Sequence, residues 1–383
     1  MGTALRQIVV VGNGIAGLTA ADSLRAGGFD GALTIVGAEG RPAYSRPALS
    51  KALLRSDADL ASHELPPTDH GALELLGRAA IRLDPECRII SLDDGSELAY
   101  DGLVIASGSR ARRLGTATDE LVLRTLDDAL LLRERIASRP DLVVVGGGPL
   151  GMEVASGALH AGCRVTLVTN EPPMERQLGA HLGGIIAAAA VARGLDLIVT
   201  PDARVVDRGR RSVAELADGR IIEGDLLLTA VGDIPNTEWL AGSGLPSGGA
   251  LPVDSRGRLR ADIVAAGDVA AVPTAWGPVR SPIWHSAIEQ ARVAAAALLH
   301  GDAASELQAR PYFWTEQSDL DLRVAGRTPL VGAPEVVDGD VGAPEGPALL
   351  RWRHDDGTAT AVAVNYRMPI PRLRRLCEAS AVV

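Results

Sequence analysis

Apolar runs without polar alternation set the first elements of this chain. Ile8-Val9-Val10-Val11 is four consecutive β-formers, the pattern of a strand buried on both faces, as in a parallel sheet. Gly12-Asn13-Gly14-Ile15-Ala16-Gly17 interrupts the run, an Ala- and Leu-rich helical stretch follows, and Leu33-Thr34-Ile35-Val36 resumes it before Gly37-Ala38-Glu39. The same succession returns 134 residues later, from Gly12 to Gly146: Leu142–Val145, then Gly146-Gly147-Gly148-Pro149-Leu150-Gly151, a helix through Ala161, and Arg164–Val168.

Between and after these units the pattern predicts shorter elements. Strands are expected at Ala79–Leu83 and Ile89–Leu92, joined through an Asp93–Ser96 hairpin turn, and at Leu103–Ala106, ending at Ser107-Gly108. A short helix is expected at Lys51–Arg55, while residues 56–75 carry no readable period. After a crossover near Thr116–Arg133, the second unit continues through a helix at Ile185–Arg193 and strands at Asp196–Val199, Ser212–Leu216 and Asp225–Ala230, closing at Val231–Asn236. Gly242–Gly249 reads as a loop, and Ile263–Val269 as a short strand ending in Gly267-Asp268. A long helix follows at Pro282–Leu299, with Ser281 as N-cap, Pro282 in the first turn and Gly301 as the stop. The last eighty residues predict strands at Arg323–Ala325, Leu349–Trp352 and Thr360–Val364 and a helix at Pro371–Ala379.

The glycine turns carry the chemistry. In a strand–turn–helix unit the first glycine permits the tight turn, the second lets backbone approach a pyrophosphate, and the third lets helix pack on strand. The helix then presents its N-terminal N–H groups to the phosphate. Glu39, just past the second strand, suits a ribose hydroxyl. Two such turns imply two nucleotides, one resident and one visiting.

Length and charge narrow the class. At 383 residues the chain holds two or three domains, and 46% hydrophobic residues supports globular folding. No apolar run approaches the length of a membrane span, and Met1–Arg6 leads straight into the first strand, so no membrane helix, signal or transit peptide is expected. A net charge of −10 disfavours nucleic acid and anionic membranes. Cys87, Cys163 and Cys377 are scattered and unpaired, which fits a reducing cytoplasm and argues against a disulfide framework or a zinc site; no metal is expected. Lys51 is the sole lysine in a chain that otherwise uses arginine.

Taken together, these segments resemble the two-dinucleotide-fold flavoprotein reductases. More narrowly, the chain resembles the FAD-containing ferredoxin or rubredoxin reductases that serve P450s and ring dioxygenases. Gly12, Gly14, Gly17 and Glu39 match the FAD phosphate and ribose site, with Ile15 and Ala16 in the same turn. Arg46-Pro47-Ala48-Leu49-Ser50-Lys51 matches Arg-Pro-x-Leu-Ser-Lys; Ala106-Ser107-Gly108 with Arg112 matches Ala-Thr-Gly-x-x-x-Arg; and Leu123–Ala129 matches the linker that follows. Ala266-Gly267-Asp268 matches the second FAD motif, and Trp284, Ala287, Glu289 and Gln290 with Pro311–Gln317, including Trp314, match the flavin-side segments. Ala80 is a further expected FAD contact.

The resemblance implies an α/β fold of two Rossmann-like dinucleotide-binding domains, for FAD and NAD(P), plus a small α+β C-terminal domain. The expected boundaries are 1–113 with 236–305 for FAD, 114–235 for NAD(P)H and 306–383 for the last. It further implies Lys51 near the flavin N5 and paired with Glu153, the two residues assigned to catalysis. Gly146, Gly148, Pro149, Leu150, Gly151, Glu153, Thr169, Arg176 and Gly232 are the expected nicotinamide-nucleotide residues. NADH or NADPH is the expected co-substrate, and a ferredoxin-like [2Fe–2S] or similar one-electron carrier the expected partner, for a monomer or homodimer in the cytoplasm.

Three departures fall on the nicotinamide side: Thr169-Asn170-Glu171 where an acid follows the second strand in NADH-specific members, Pro149 for a larger residue, and Pro282 for an acid. Without that acid, discrimination against a 2′-phosphate is expected to be lost, with Arg176 free to favour one. No cysteine stands near positions 42–50, where thiol-relay relatives carry theirs. An NAD(P)H oxidase or pathway-specific flavin oxidoreductase on a small organic substrate is the alternative enzyme reading. A flavin-bound redox sensor is the non-enzyme one.

Overall fold

The structure, a computed structural model, describes residues 5–51, 54, 63–66, 69–115, 119–208, 212–274, 277–340 and 346–378. It divides into two compact units. Unit 1 comprises Met1–Ser45, Ala61–Arg110 and Ile234–Ala309, and unit 2 comprises Arg46–Leu60, Ala111–Asp233 and Arg310–Val383.

Unit 1 begins with β1 (Gln7–Val11), α1 (Ile15–Ala26) and β2 (Ala32–Gly37), and adds β3 (Leu73–Leu76) and β4 (Gly102–Ile105). β1 lies between β2 and β4 and parallel to both, with Val11 opposite Val36 on one side and Ile105 on the other. Its alternate side chains enter different cores. Ile8 and Val10 pack with Leu24 of α1, while Val9 and Val11 pack with Leu83, Ile90 and Leu92 from the strands Ala80–Asp84 and Ile89–Leu92. No side chain of the run faces water, which is why it reads as unbroken. Each Val or Ile buried this way contributes about 1.5–3 kcal/mol.

The chain next builds the parallel sheet of unit 2 from β5 (Asp141–Val145), α2 (Pro149–His160), β6 (Arg164–Thr169), β7 (Asp196–Val199) and β8 (Leu226–Thr229), in the order β7-β6-β5-β8. Val145 lies opposite Val168 as Val11 does opposite Val36. Between β6 and β7 the helix runs Ala180–Ala192, starting ahead of the expected Ile185. A Cβ on Gly183 would meet the Pro173 carbonyl at 2.8 Å, so this glycine lets the helix pack closely on the segment that precedes it.

Unit 1 is completed by β9 (Arg258–Arg260), β10 (Ile263–Ala265) and α3 (Trp284–His300). β10 adds in parallel beside β4, giving the order β9-β10-β4-β1-β2-β3, and only β9 runs against its neighbour. α3 packs with α1 through Ala291, Ala294 and Ala295 against Ala20, Ala21 and Leu24. The expected start at Pro282 is corrected: the cap is Ile283, in extended conformation and with no side-chain bond. The Ile283 N–H closes a turn on the Ser281 carbonyl, and the Ser281 hydroxyl shares its hydrogen bond with Ser286, so neither Ser281 nor Pro282 belongs to the helix. Gly301, at φ +56°, ends it as expected.

Unit 2 then receives an antiparallel sheet of β11 (Tyr312–Gln317), β12 (Leu320–Ala325), β13 (Glu335–Gly339), β14 (Ala348–Arg353) and β15 (Ala359–Val364), ordered β11-β12-β15-β14-β13. The terminal helix spans Ile370–Arg375, with Leu373 in the core beside Tyr312, Leu349 and Ala363. Ala379 lies outside the described residues, as does most of the expected Lys51–Arg55 helix. Among the described residues no helix is long and apolar enough to cross a membrane. The fold is α/β, with two glycine-turn parallel sheets and an α+β C-terminal segment.

Candidate active site

In unit 1 the first and third glycines are dictated by the protein's own packing. A Cβ on Gly12, at φ +124°, would lie 2.0 Å from the Ala106 carbonyl oxygen, and one on Gly17 would lie 1.8 Å from that of Gly12. A Cβ on Gly14 would meet nothing within 4 Å. Gly14 caps α1 without a side-chain bond, Ile15 and Ala16 open the helix, and its first turn holds no acid. Open backbone at a helix N-terminus without a competing carboxylate is what a dinucleotide pyrophosphate requires, and these residues fit one.

More distant segments converge on the same turn. Gly267, at φ +81°, would bring a Cβ to 2.9 Å from the Ala16 Cβ and 3.8 Å from that of Ala287, and its N–H donates to Gln290 Oε1 at 2.9 Å. The Ser109 hydroxyl donates to Asp268 at 3.1 Å. Ser107, beside Gly108, exchanges two bonds with Asn236: its hydroxyl donates to the Asn236 carbonyl, and Asn236 Nδ2 donates to its own. Glu39 accepts from the Tyr44 hydroxyl at 2.6 Å. Trp284 is the half-buried first residue of α3, and Ala80 packs on the core that contains Val11 and Val36. Tyr44 and Asn236 were not singled out from sequence; the tyrosine's place five residues past Glu39 was the one available signal.

Unit 2 repeats the packing solution. A Cβ on Gly146, at φ +116°, would lie 2.4 Å from the Ala230 carbonyl oxygen, and one on Gly151 would lie 1.9 Å from that of Gly146. The Gly148 position is open apart from Gln177 Nε2 at 3.7 Å, and Pro149 occupies the first turn of α2, followed by half-buried Leu150. Gly232, at φ +95°, accepts at its carbonyl the Arg112 N–H at 3.0 Å.

The two turns differ where the glycine loop crosses the second strand. In unit 1 the side chain is Asn13 and the glycine Gly37; in unit 2 the glycine is Gly147 and the side chain Thr169. A Cβ on Gly37 would meet Asn13 at 2.8 Å, and one on Gly147 would meet the Thr169 hydroxyl at 2.6 Å. Thr169 Oγ1 donates to the Glu171 carbonyl at 3.0 Å, which leaves Thr169 bracing the turn.

Counted from the paired valines, Val168 and Val36, Glu171 stands where Glu39 stands. The Glu171 carboxylate is half-exposed and makes no hydrogen bond or ion pair with a described residue; the same holds for the exposed Arg176 on the helix Glu175–Leu178.

Three stretches of unit 2 meet around Glu153 on α2. Lys51 Nζ donates to Glu153 Oε2 at 2.8 Å and to the Pro47 carbonyl at 3.4 Å, and lies 5.9 Å from the centre of the Trp314 ring. The Ser50 hydroxyl donates to the same carboxylate oxygen. The Thr315 hydroxyl takes Oε1 at 2.7 Å and receives the Gln317 amide at 3.0 Å. The side chains of Lys51 and Glu153 are only 13% and 5% exposed, so each offsets the desolvation of the other. Arg46, from the same motif as Lys51, donates to the Arg124 carbonyl at 2.9 Å.

The thiols are chemically quiet. Asp84 beside the exposed Cys87 pushes its thiol up, and burial does the same to Cys163 and Cys377. All three shifts run against the thiolate that disulfide or persulfide chemistry needs.

The family model described as pyridine nucleotide-disulphide oxidoreductase matches residues 6–297. Rhodocoxin reductase of Rhodococcus erythropolis is 35% identical over 336 residues, 84% of this chain and 78% of its own length. The ferredoxin–NAD(+) reductase subunit of the benzene 1,2-dioxygenase system of Pseudomonas putida is 34% identical over 394 residues, 98% of this chain and 93% of its own. Among solved structures, the reductase of the covalent putidaredoxin reductase–putidaredoxin complex aligns with a TM-score of 0.86 at 27% identity, over 98% of this chain and 94% of that one.

Proposed function

Since the chain belongs to the pyridine nucleotide-disulphide oxidoreductase family, we propose that it is an FAD-containing NAD(P)H:ferredoxin reductase. It passes electrons to a small [2Fe–2S] protein that serves a P450 or ring dioxygenase. The observation that carries this reading is two complete phosphate cradles in a chain whose thiols are all pushed away from the thiolate. Bound FAD supplies the exchange between hydride chemistry and single-electron transfer.

The protein's own groups bind and orient. Unit 1 holds the FAD pyrophosphate at the Gly14 face of α1, with Glu39 for the ribose and Asp268 for the ribityl chain. Arg46, Lys51 and Trp314 are the flavin neighbours implied by the resemblance. The turn of unit 2 at Gly148 takes the nicotinamide dinucleotide, and Glu171 supplies the carboxylate for its adenosine ribose. A 2′-phosphate placed beside that carboxylate is repelled, so NADH is the preferred donor. Lys51, held on Glu153, keeps a compact proton-bearing cation in place, a role a planar guanidinium fills less well. Scattered, unpaired cysteines support work in the cytoplasm.

The test is anaerobic stopped-flow reduction by NADH and by NADPH, followed by cytochrome c reduction with and without a [2Fe–2S] ferredoxin. Rapid bleaching by NADH and ferredoxin-dependent cytochrome reduction are expected. Ferredoxin-independent turnover of a small organic acceptor would replace this reading with that of a substrate-specific flavin oxidoreductase.

A further inference from the structure

We propose that Thr315, backed by Gln317, is a positioning residue that keeps Lys51 paired with Glu153. Both side chains are completely buried. The carboxylate accepts only, so the Thr315 proton must point at Glu153 Oε1. A threonine hydroxyl has one proton, so Gln317 must present its NH2 group to the Thr315 oxygen. The orientation of the whole relay follows from the charge on Glu153. It leaves Gln317 Oε1 buried without a partner among the described residues.

The division of labour on Glu153 is what makes Thr315 decisive. Oε2 is shared by Ser50 and Lys51, while among the described side chains Thr315 is the donor to Oε1. Remove that donor, and the carboxylate turns to satisfy its bare oxygen and loosens its grip on Lys51. The surrounding backbone does not depend on the relay. The Ser318 N–H donates to Ser156 Oγ at 2.8 Å, one turn further along α2, and Arg193 pairs with Asp319 at 2.6 Å, so the β11–β12 hairpin stays anchored.

Lys51 is the sole lysine, so its availability is read without ambiguity by reductive methylation with formaldehyde and borane, using site-resolved mass spectrometry and the N-terminal amine as internal reference. Loss of one hydrogen bond to a charged group corresponds to roughly a tenfold faster modification of Lys51 in Thr315→Val. Thr315→Ser restores the parent rate, and Glu153→Gln sets the upper limit. Gln317→Leu, which also removes the orphan oxygen, gives a smaller rise and serves if Thr315→Val does not fold, as judged by flavin absorbance and circular dichroism. Modification of Thr315→Val at the parent rate, while Glu153→Gln reacts faster, overturns the proposal. The bearing of this pairing on catalysis rests on the reductase reading, and a second readout separates the two: Thr315→Val slows flavin reduction at saturating NADH while NADH affinity is unchanged. Faster labelling with unaltered reduction upholds the positioning role and removes Lys51 from the chemistry.

Discussion

The two glycine turns solve one packing problem and part company over one side chain. In both, the first glycine lies under a carbonyl from the neighbouring strand's end (Ala106 or Ala230), and the third lies against the first. In both, a Cβ on the second glycine would meet no backbone: nothing lies within 4 Å at Gly14, and only Gln177 Nε2 at 3.7 Å at Gly148. The crossing of loop and second strand has room for one side chain: unit 1 gives it to the loop as Asn13, and unit 2 gives it to the strand as Thr169. The acids differ in kind. Glu39 is tied to Tyr44, while Glu171 has no partner among the described residues. A carboxylate already fixed suits a nucleotide that stays, and an untethered one suits a nucleotide that comes and goes, since preorganisation favours tight binding.

The largest effect comes from filling the space under the carbonyls. Gly12→Ala is expected to lose flavin and at least about 3 kcal/mol of stability through overlap and a strained φ, whereas Gly146→Ala retains the yellow cofactor and fails to bleach with NADH. Absorbance spectra before and after NADH decide this; flavin lost from Gly146→Ala alone would exchange the assignments of the two turns. Next, Glu171→Ala is expected to raise the NADPH-to-NADH ratio of kcat/KM by about 10–100-fold, the worth of a charged hydrogen bond plus relieved repulsion. Arg176→Ala is the control; if it moves the ratio instead, the arginine and not the acid reads the ribose.

A smaller effect tests the crossing itself. Gly147→Asn is expected to cost about 2 kcal/mol in urea unfolding, and Thr169→Gly in the same chain to return most of it, a coupling of about 1–3 kcal/mol. Additive losses would show that the two positions do not share that space. Smallest of all, Tyr44→Phe is expected to weaken FAD retention by about 1 kcal/mol, measured by equilibrium dialysis, with NADH affinity untouched.

Much of this was legible in the chain because it is local. A doubly buried strand must be an apolar run, and a Cβ-free turn must be glycine, so β1, β5 and both turns stand out at once. What escaped depends on distance or register. β3 and β13 are missed because they are short edge strands whose exposed side chains (Leu73 is 60% so) do not form a buried run. The start of α3 was misplaced because Ser281-Pro282 imitates a helix entry that the backbone spends on a turn. Glu171 lies three residues past Val168, as Glu39 lies three past Val36, an offset the sequence already carries. The Thr315–Glu153 contact joins residues 162 apart and has no local trace, and Lys51 was matched to Glu153 through resemblance alone.

The chain's three passages through each unit govern how the protein is made. The parallel sheet of unit 2 is drawn from one continuous stretch, Asp141–Thr229, whereas unit 1 waits for β10 and α3 to cover β4 and α1. A ribosome that has just finished β8 therefore carries one sheet able to close and another with its apolar edge and helix bare. Long-range parallel pairing is slow and exposed to aggregation. Recombinant yield will thus respond to chaperone supply and to the pace of translation between residues 230 and 300.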